Sequence, residues 1–85
     1  DDAAVIDSLG WVNYRLGNLA EAERLLRLAM DKMPDAEVAA HLGEVLWVRG
    51  KQREARKVWA EALKNDPQST TLLRTLQRLT GSEKP

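Results

Sequence analysis

The chain has 85 residues, room for one small domain, and thirteen basic residues balance thirteen acidic ones. That balance leaves no general attraction to nucleic acid or anionic lipid, while 44% hydrophobic and 31% charged residues exclude a disordered chain. The absence of cysteine excludes disulfides, thiolate metal sites and cysteine nucleophiles, and no apolar run approaches the roughly 20 residues that a membrane-spanning helix needs.

The first predicted helix covers residues 3–16. Val5, Ile6, Leu9, Val12, Asn13 and Leu16 recur at spacings of three and four, an inward stripe interrupted by one polar residue. Gly17-Asn18 stops it. A second helix runs over 19–32 with Ala22, Leu25, Leu26, Ala29 and Met30 inward, and with Glu23 and Arg27 four apart on its outer face. Met33-Pro34-Asp35 forms the next break. A third helix over 36–49 stops at Gly50-Lys51, and a fourth over 52–65 ends at Asp66-Pro67. Ser69 caps a fifth, which carries Leu72, Leu73, Leu76 and Leu79 to about Thr80. Gly81 ends it, and 82–85 is expected to fray. No stretch alternates with period two, so no strand is predicted.

Shifted by 33 residues the chain matches itself. Ala3, Val5, Leu9, Gly10, Val12, Gly17, Glu21, Ala22, Ala29 and Pro34 recur as Ala36, Val38, Leu42, Gly43, Val45, Gly50, Glu54, Ala55, Ala62 and Pro67. A fixed period of this length marks stacked units that bury their apolar faces on one another. Gly10 and Gly43 lie mid-helix, where glycine costs about 1 kcal/mol relative to alanine. Close approach of the second helix, at Ala22 or Ala55, is the expected reason.

The series Leu9-Gly10, Gly17, Ala22, Ala29, Pro34, repeated as Leu42-Gly43, Gly50, Ala55, Ala62, Pro67, resembles the tetratricopeptide repeat over about residues 3–69. Two departures stand out. The period is 33 against the family's 34, and Asn13 stands where the family keeps an aromatic packing residue. The last helix has Gln77 in place of the glycine and resembles the capping helix of such arrays, with Arg74, Gln77 and Arg78 on its wetted side. The resemblance implies an all-α, right-handed helical solenoid of two helix-turn-helix hairpins and a C-terminal cap. A single domain over 1–81 would then comprise a repeat over 3–35, a repeat over 36–69 and the capping helix over 70–80. The chain opens on Asp1-Asp2 without Met and the repeat starts near Ala3, which reads as a segment of a longer protein.

In such arrays the first helices line a concave groove. The alignment places Ala4, Asp7, Ser8, Trp11, Tyr14 and Arg15 there from the first hairpin. Glu37, Ala40, His41, Glu44, Trp47 and Val48 follow from the second, and Thr71, Arg74 and Arg78 from the cap. Trp11, Tyr14 and Trp47 suit an anchor surface for an apolar peptide segment. They equally suit packing between first helices, and Leu46 and Val48 leave the direction of Trp47 open. Trp11 is the stronger anchor because Leu9 and Val12 supply a buried stripe beside it. Trp59 replaces the family's packing aromatic and is assigned to the core. The family's lysine and asparagine clamp for carboxyl-terminal tails is absent, since those positions hold Asp7, Trp11, Ala40 and Glu44.

Other chemistry finds little purchase. His41 lies in His-Leu-Gly-Glu, which is not a two-histidine zinc motif. Asp7-Ser8 has neither a partner base nor a nucleophile elbow. Arg24, Arg27, Lys51, Arg53, Arg56 and Lys57 interleave with Glu21, Glu23, Asp31, Glu54 and Glu61 as an ordinary solvated face. The expected function is protein–protein interaction, as an adaptor or scaffold segment, with no catalytic or metal residue and no cofactor. The expected partner is a protein or peptide held by Asp7, Ser8, Trp11, Tyr14, Arg15, Glu37, His41, Glu44, Trp47, Arg74 and Arg78, without nucleic acid or membrane insertion. A segment that only caps its parent array or self-associates is the rival. The run from Ile6 to Gly17 resembles C-terminal repeats of long bacterial tetratricopeptide proteins, some of them outer-membrane lipoproteins, one serving as adaptor of a carboxyl-terminal processing protease. That resemblance implies the cell envelope or periplasm, and the cytoplasm otherwise.

Overall fold

Three helices begin on side-chain caps. In the computed structural model, which describes residues 2–85, Asp2, Asp35 and Ser69 adopt extended backbone and accept from the amides of Ala4, Val38 and Leu72 at 2.9, 2.9 and 3.2 Å. Each cap satisfies a first-turn donor that has no partner inside its helix. They open α1 (Ala3–Arg15), α3 (Ala36–Val48) and α5 (Thr70–Thr80), between which run α2 (Leu19–Lys32) and α4 (Gln52–Asn65). Among the described residues every regular element is helical. Asp1, where the expected domain starts, lies outside them. α1 and α3 end one residue earlier than the sequence pattern suggested.

Both hairpins turn in the same way. Gly17 and Gly50 take φ of 87° and 83°, left-handed values that glycine reaches without a steric penalty. The amide of Gly17 then bonds the Tyr14 carbonyl, and that of Asn18 bonds Asn13 at 2.8 Å. Gly50 to Trp47 and Lys51 to Leu46 repeat the pattern. This double closure satisfies the last carbonyls of the helix and sends the chain back antiparallel. Asn13 joins the first turn: its amide donates to the Leu9 carbonyl at 2.9 Å, and its side-chain oxygen accepts from Asn18 at 3.2 Å.

The mid-helix glycines do admit a close helix, but not at the alanines. A methyl group on Gly10 would stand 2.8 Å from Leu26 Cγ, and one on Gly43 would overlap the indole of Trp59. Leu26 and Trp59 are themselves 33 residues apart, so the missing side chain serves one repeated contact with two occupants. Ala22 and Ala55 are buried nearby.

α3 is the central helix, packing on α1, α2, α4 and α5. Val38, Leu42, Val45 and Leu46 are buried along it, and Leu26, Trp59, Leu72 and Leu76 close around them. Trp59 is fully buried, as assigned. α5 lays Leu72 and Leu76 against the core and leaves Arg74, Gln77 and Arg78 outward.

α1 departs from its reading. Of its apolar stripe only Ile6 is buried, while Val5, Leu9, Val12 and Leu16 are exposed. The helix turns Ile6 and Gly10 inward, and no described element covers its other side. Leu9 and Val12 therefore give Trp11 no buried stripe to lean on.

Candidate partner-binding site

The residue after each mid-helix glycine, and the residue after Gln77, occupies one repeated position on the first helices and the cap. It is Trp11 on α1, Glu44 on α3 and Arg78 on α5. All three enter one connected cluster. The Trp11 ring stacks on His41 with centroids 4.1 Å apart and planes 21° from parallel, and it meets the Tyr14 ring at 4.8 Å. His41 Nδ1 lies 2.9 Å from Asp7 Oδ1. The Tyr14 hydroxyl donates to Glu44 Oε2 at 2.8 Å, and the Arg78 guanidinium donates to both oxygens of the same carboxylate.

Glu44 is buried, and burying a carboxylate is costly unless hydrogen bonds and an opposite charge compensate. Tyr14 and Arg78 supply both. The consequence for Tyr14 is a phenol held neutral. Burial, then the hydrogen bond to Glu44, pushes its pKa from 10 up to about 12. Arg78, bonded to Glu44, is held yet more firmly as the cation.

The other expected residues divide. Ser8, Arg15, Glu37 and Arg74 are exposed around the cluster. Ala4, Asp7, Ser8, Asp35 and Glu37 line a shallow indentation beside it. Ala40 is buried rather than facing a groove. Trp47 is not drawn into the cluster. It packs on Trp59 at 5.7 Å between centroids, and the Arg56 guanidinium lies 5.1 Å from its ring. Asp7 does have a basic partner, His41, brought from 34 residues away by the stacking of α1 on α3. Among the described residues Ser8 makes no hydrogen bond to that histidine.

A second polar cluster, unforeseen in the sequence, joins the hairpins on their other side. Glu23 is buried instead of solvated. Its carboxylate accepts from Arg27 and Arg49, each at 2.9 Å, and from Lys51 at 3.1 Å. Arg27 reaches on to Glu54 at 2.7 Å. Burial works to raise the Glu23 pKa, but the hydrogen bonds from Arg27 and Lys51 outweigh it and hold the group below the ordinary carboxylate value. Only the Glu23–Arg27 spacing was visible in the sequence.

Chemically, the first cluster consumes its own charges. What it leaves outward is the part-exposed Trp11 ring, the free portion of Arg78 and the neighbouring arginines Arg15 and Arg74. Together they form an outward aromatic and basic surface. Two comparisons bear on its purpose. Residues 3–32 match the family model described as a tetratricopeptide repeat. Over all 85 residues the chain is 59% identical to a TPR repeat-containing protein of Pseudomonas aeruginosa, of whose length it spans 14%.

Proposed function

This chain is built from tetratricopeptide repeats, and from that premise we propose that it holds a partner's peptide segment along the face shared by α1, α3 and α5. Such repeats generally mediate protein–protein interaction. The finer assignment, an adaptor or scaffold segment within a longer protein, is supported by a relative about seven times as long. The observation that carries the reading is the cluster itself. Trp11, His41, Tyr14, Glu44 and Arg78 come from three helices and fix one another by stacking and charged hydrogen bonds. A surface ordered before its partner arrives loses less side-chain freedom on binding. Trp11 is the anchor, because aromatic and arginine side chains carry most interface energy. Arg74, exposed on α5 one turn before Arg78, favours a partner segment with a carboxylate next to an apolar residue. No catalytic step, cofactor or metal enters this reading.

The test is capture from an extract of the source organism with the native chain, Trp11→Ala and, as a control on α4, Lys57→Ala, each checked for retained helicity. Loss of a captured protein with Trp11→Ala alone, by roughly tenfold or more in affinity, is expected. Equal capture by all three would move the site away from this face.

A further inference from the structure

The repeat copies the frame of the candidate site but not its contents. One period on, Asp7, Ser8, Trp11 and Tyr14 become Ala40, His41, Glu44 and Trp47. The network around Trp11 is therefore built once, and stacking of like units does not explain its wiring.

Two rings touch the Trp11 indole, and each is tied by a carboxylate of the opposite helix. Tyr14 of α1 is tied by Glu44 of α3, and His41 of α3 by Asp7 of α1. The two ties are unequal. Asp7 and His41 pair between α1 and α3, whereas Glu44 has a further partner on the cap. The Arg78 guanidinium takes both carboxylate oxygens, reaching Oε2 at 3.3 Å. A two-pronged contact of this kind fixes direction as well as charge. Glu44 is buried while the Arg78 side chain is 57% exposed, so the guanidinium is the charge that makes the burial tolerable. With it removed, the carboxylate regains hydration by turning toward water, away from the Tyr14 hydroxyl. That hydroxyl stands at the far end of its ring, so its bond to Glu44 pins the direction in which the ring leaves α1. Trp11, on the same face of the helix, packs on that ring at 4.8 Å with planes 30° apart.

We propose that Arg78 of the cap is a positioning residue for Trp11, acting through Glu44 and Tyr14, so that the anchor on α1 is set only while α5 is docked on α3. This role rests on the reading of Trp11 as the anchor, and it makes the cap a working part of the binding face. A carboxylate that drew Arg78 away from Glu44 would release Tyr14 and Trp11 together.

The experiment needs no partner. The indole N–H groups of Trp11, Trp47 and Trp59 are followed by heteronuclear relaxation, assigned with Trp11→Phe and Trp47→Phe. The native chain is compared with Arg78→Met, Arg78→Lys, Tyr14→Phe and the double variant Arg78→Met, Tyr14→Phe. Arg78→Met should lower the Trp11 order parameter from the rigid range, about 0.85, to below about 0.6 and leave Trp59 unmoved. Tyr14→Phe should do the same, and the double variant should be no looser than either single one, because both cut one route. Arg78→Lys, which keeps the charge, should recover much of the rigidity. The Tyr14 titration supplies a second readout with opposite signs. The positive charge of Arg78 works to lower the Tyr14 pKa, so its loss alone would raise the midpoint above the native value of about 12. Release of the hydroxyl from Glu44 instead brings the midpoint down, part of the way toward 10. A raised midpoint, or a Trp11 that stays rigid in Arg78→Met, overturns the role. So does a Trp59 that loosens as much as Trp11, or single variants whose effects add. If Arg78→Met fails to fold, Arg78→Met with Glu44→Gln, which leaves no buried charge, takes its place in the relaxation measurement. A rigid native Trp11 whose replacement by alanine costs no capture would remove the anchor reading and leave the positioning role standing.

Discussion

Tyr14 shows how one side chain reports on the whole cluster. It is the only tyrosine, so its ionisation can be followed directly by tyrosinate absorbance. Its pKa is raised by burial first and by Glu44 second. The folded value lies above the unfolded one, so its contribution to stability is complete below pH 10 and is lost as pH rises through about 12. Glu44→Gln removes the charge but keeps an acceptor. The titration midpoint should then fall part of the way back toward 10, with the remainder left by burial. A midpoint unmoved by Glu44→Gln would show that the hydroxyl does not bond that carboxylate in solution. Residue-scale facts of this sort were only half legible beforehand. The resemblance to tetratricopeptide arrays put Trp11, Tyr14, His41 and Glu44 on one face, because the first helices of such arrays line a common side. It could not show that Asp7 meets His41, or that Trp47 turns to Trp59, because those depend on rotamers and on which helix lies opposite.

At the scale of the helix, the two glycine contacts separate by what they face. Gly43 meets an indole, a rigid ring with no soft end to retreat, while Gly10 meets the branch point of a leucine. Alanine at either site gains about 1 kcal/mol of helix propensity. Overpacking a tight core costs about 1–3 kcal/mol and occasionally more. Gly43→Ala should therefore destabilise by about 2 kcal/mol net, seen as a lower urea midpoint. Gly10→Ala should be clearly milder. Trp59→Leu, which gives the second hairpin the side chain of the first, should recover much of the loss in Gly43→Ala. If both glycine variants are equally stable, the indole is not the obstacle. The helices themselves were the most legible part of the sequence. Caps, turn glycines and prolines act within a few residues, so Ser69 and Gly50 could be read without neighbours. The buried side of α1 could not be read. Apolar spacing tells which residues share a stripe, not whether another element arrives to cover it.

Across the molecule, the hairpins are fastened on two sides. The Asp7–His41 and Tyr14–Glu44–Arg78 contacts lie on one, and the Glu23 cluster lies on the other. Glu23 takes partners 26 and 28 residues away, beyond the reach of any local pattern. Its pKa is depressed in the folded state, so its stabilisation is present above the ordinary carboxylate value of 4.5 and is lost as pH falls through the folded value. The native chain should lose thermal stability on acidification below about pH 4.5. Glu23→Gln should melt lower at pH 7 and show a shallower acid decline. Identical acid profiles for the two would remove Glu23 from the junction's electrostatics.

Trp11, Glu44 and Arg78 hold one position in three successive frames: an aromatic ring, an acid and a base. The frames of the two hairpins hardly vary, with leucine or indole under the glycine and the same left-handed turn, while the cap carries Gln77 in place of the glycine. A scaffold that repeats while its presented side chains do not separates inheritance of shape from inheritance of specificity. Duplicating a hairpin supplies a new frame already able to fold, and a single substitution at this position then rewrites what that frame displays. The restraint is Glu44, whose two bonded neighbours mean that this letter changes only together with Tyr14 and Arg78.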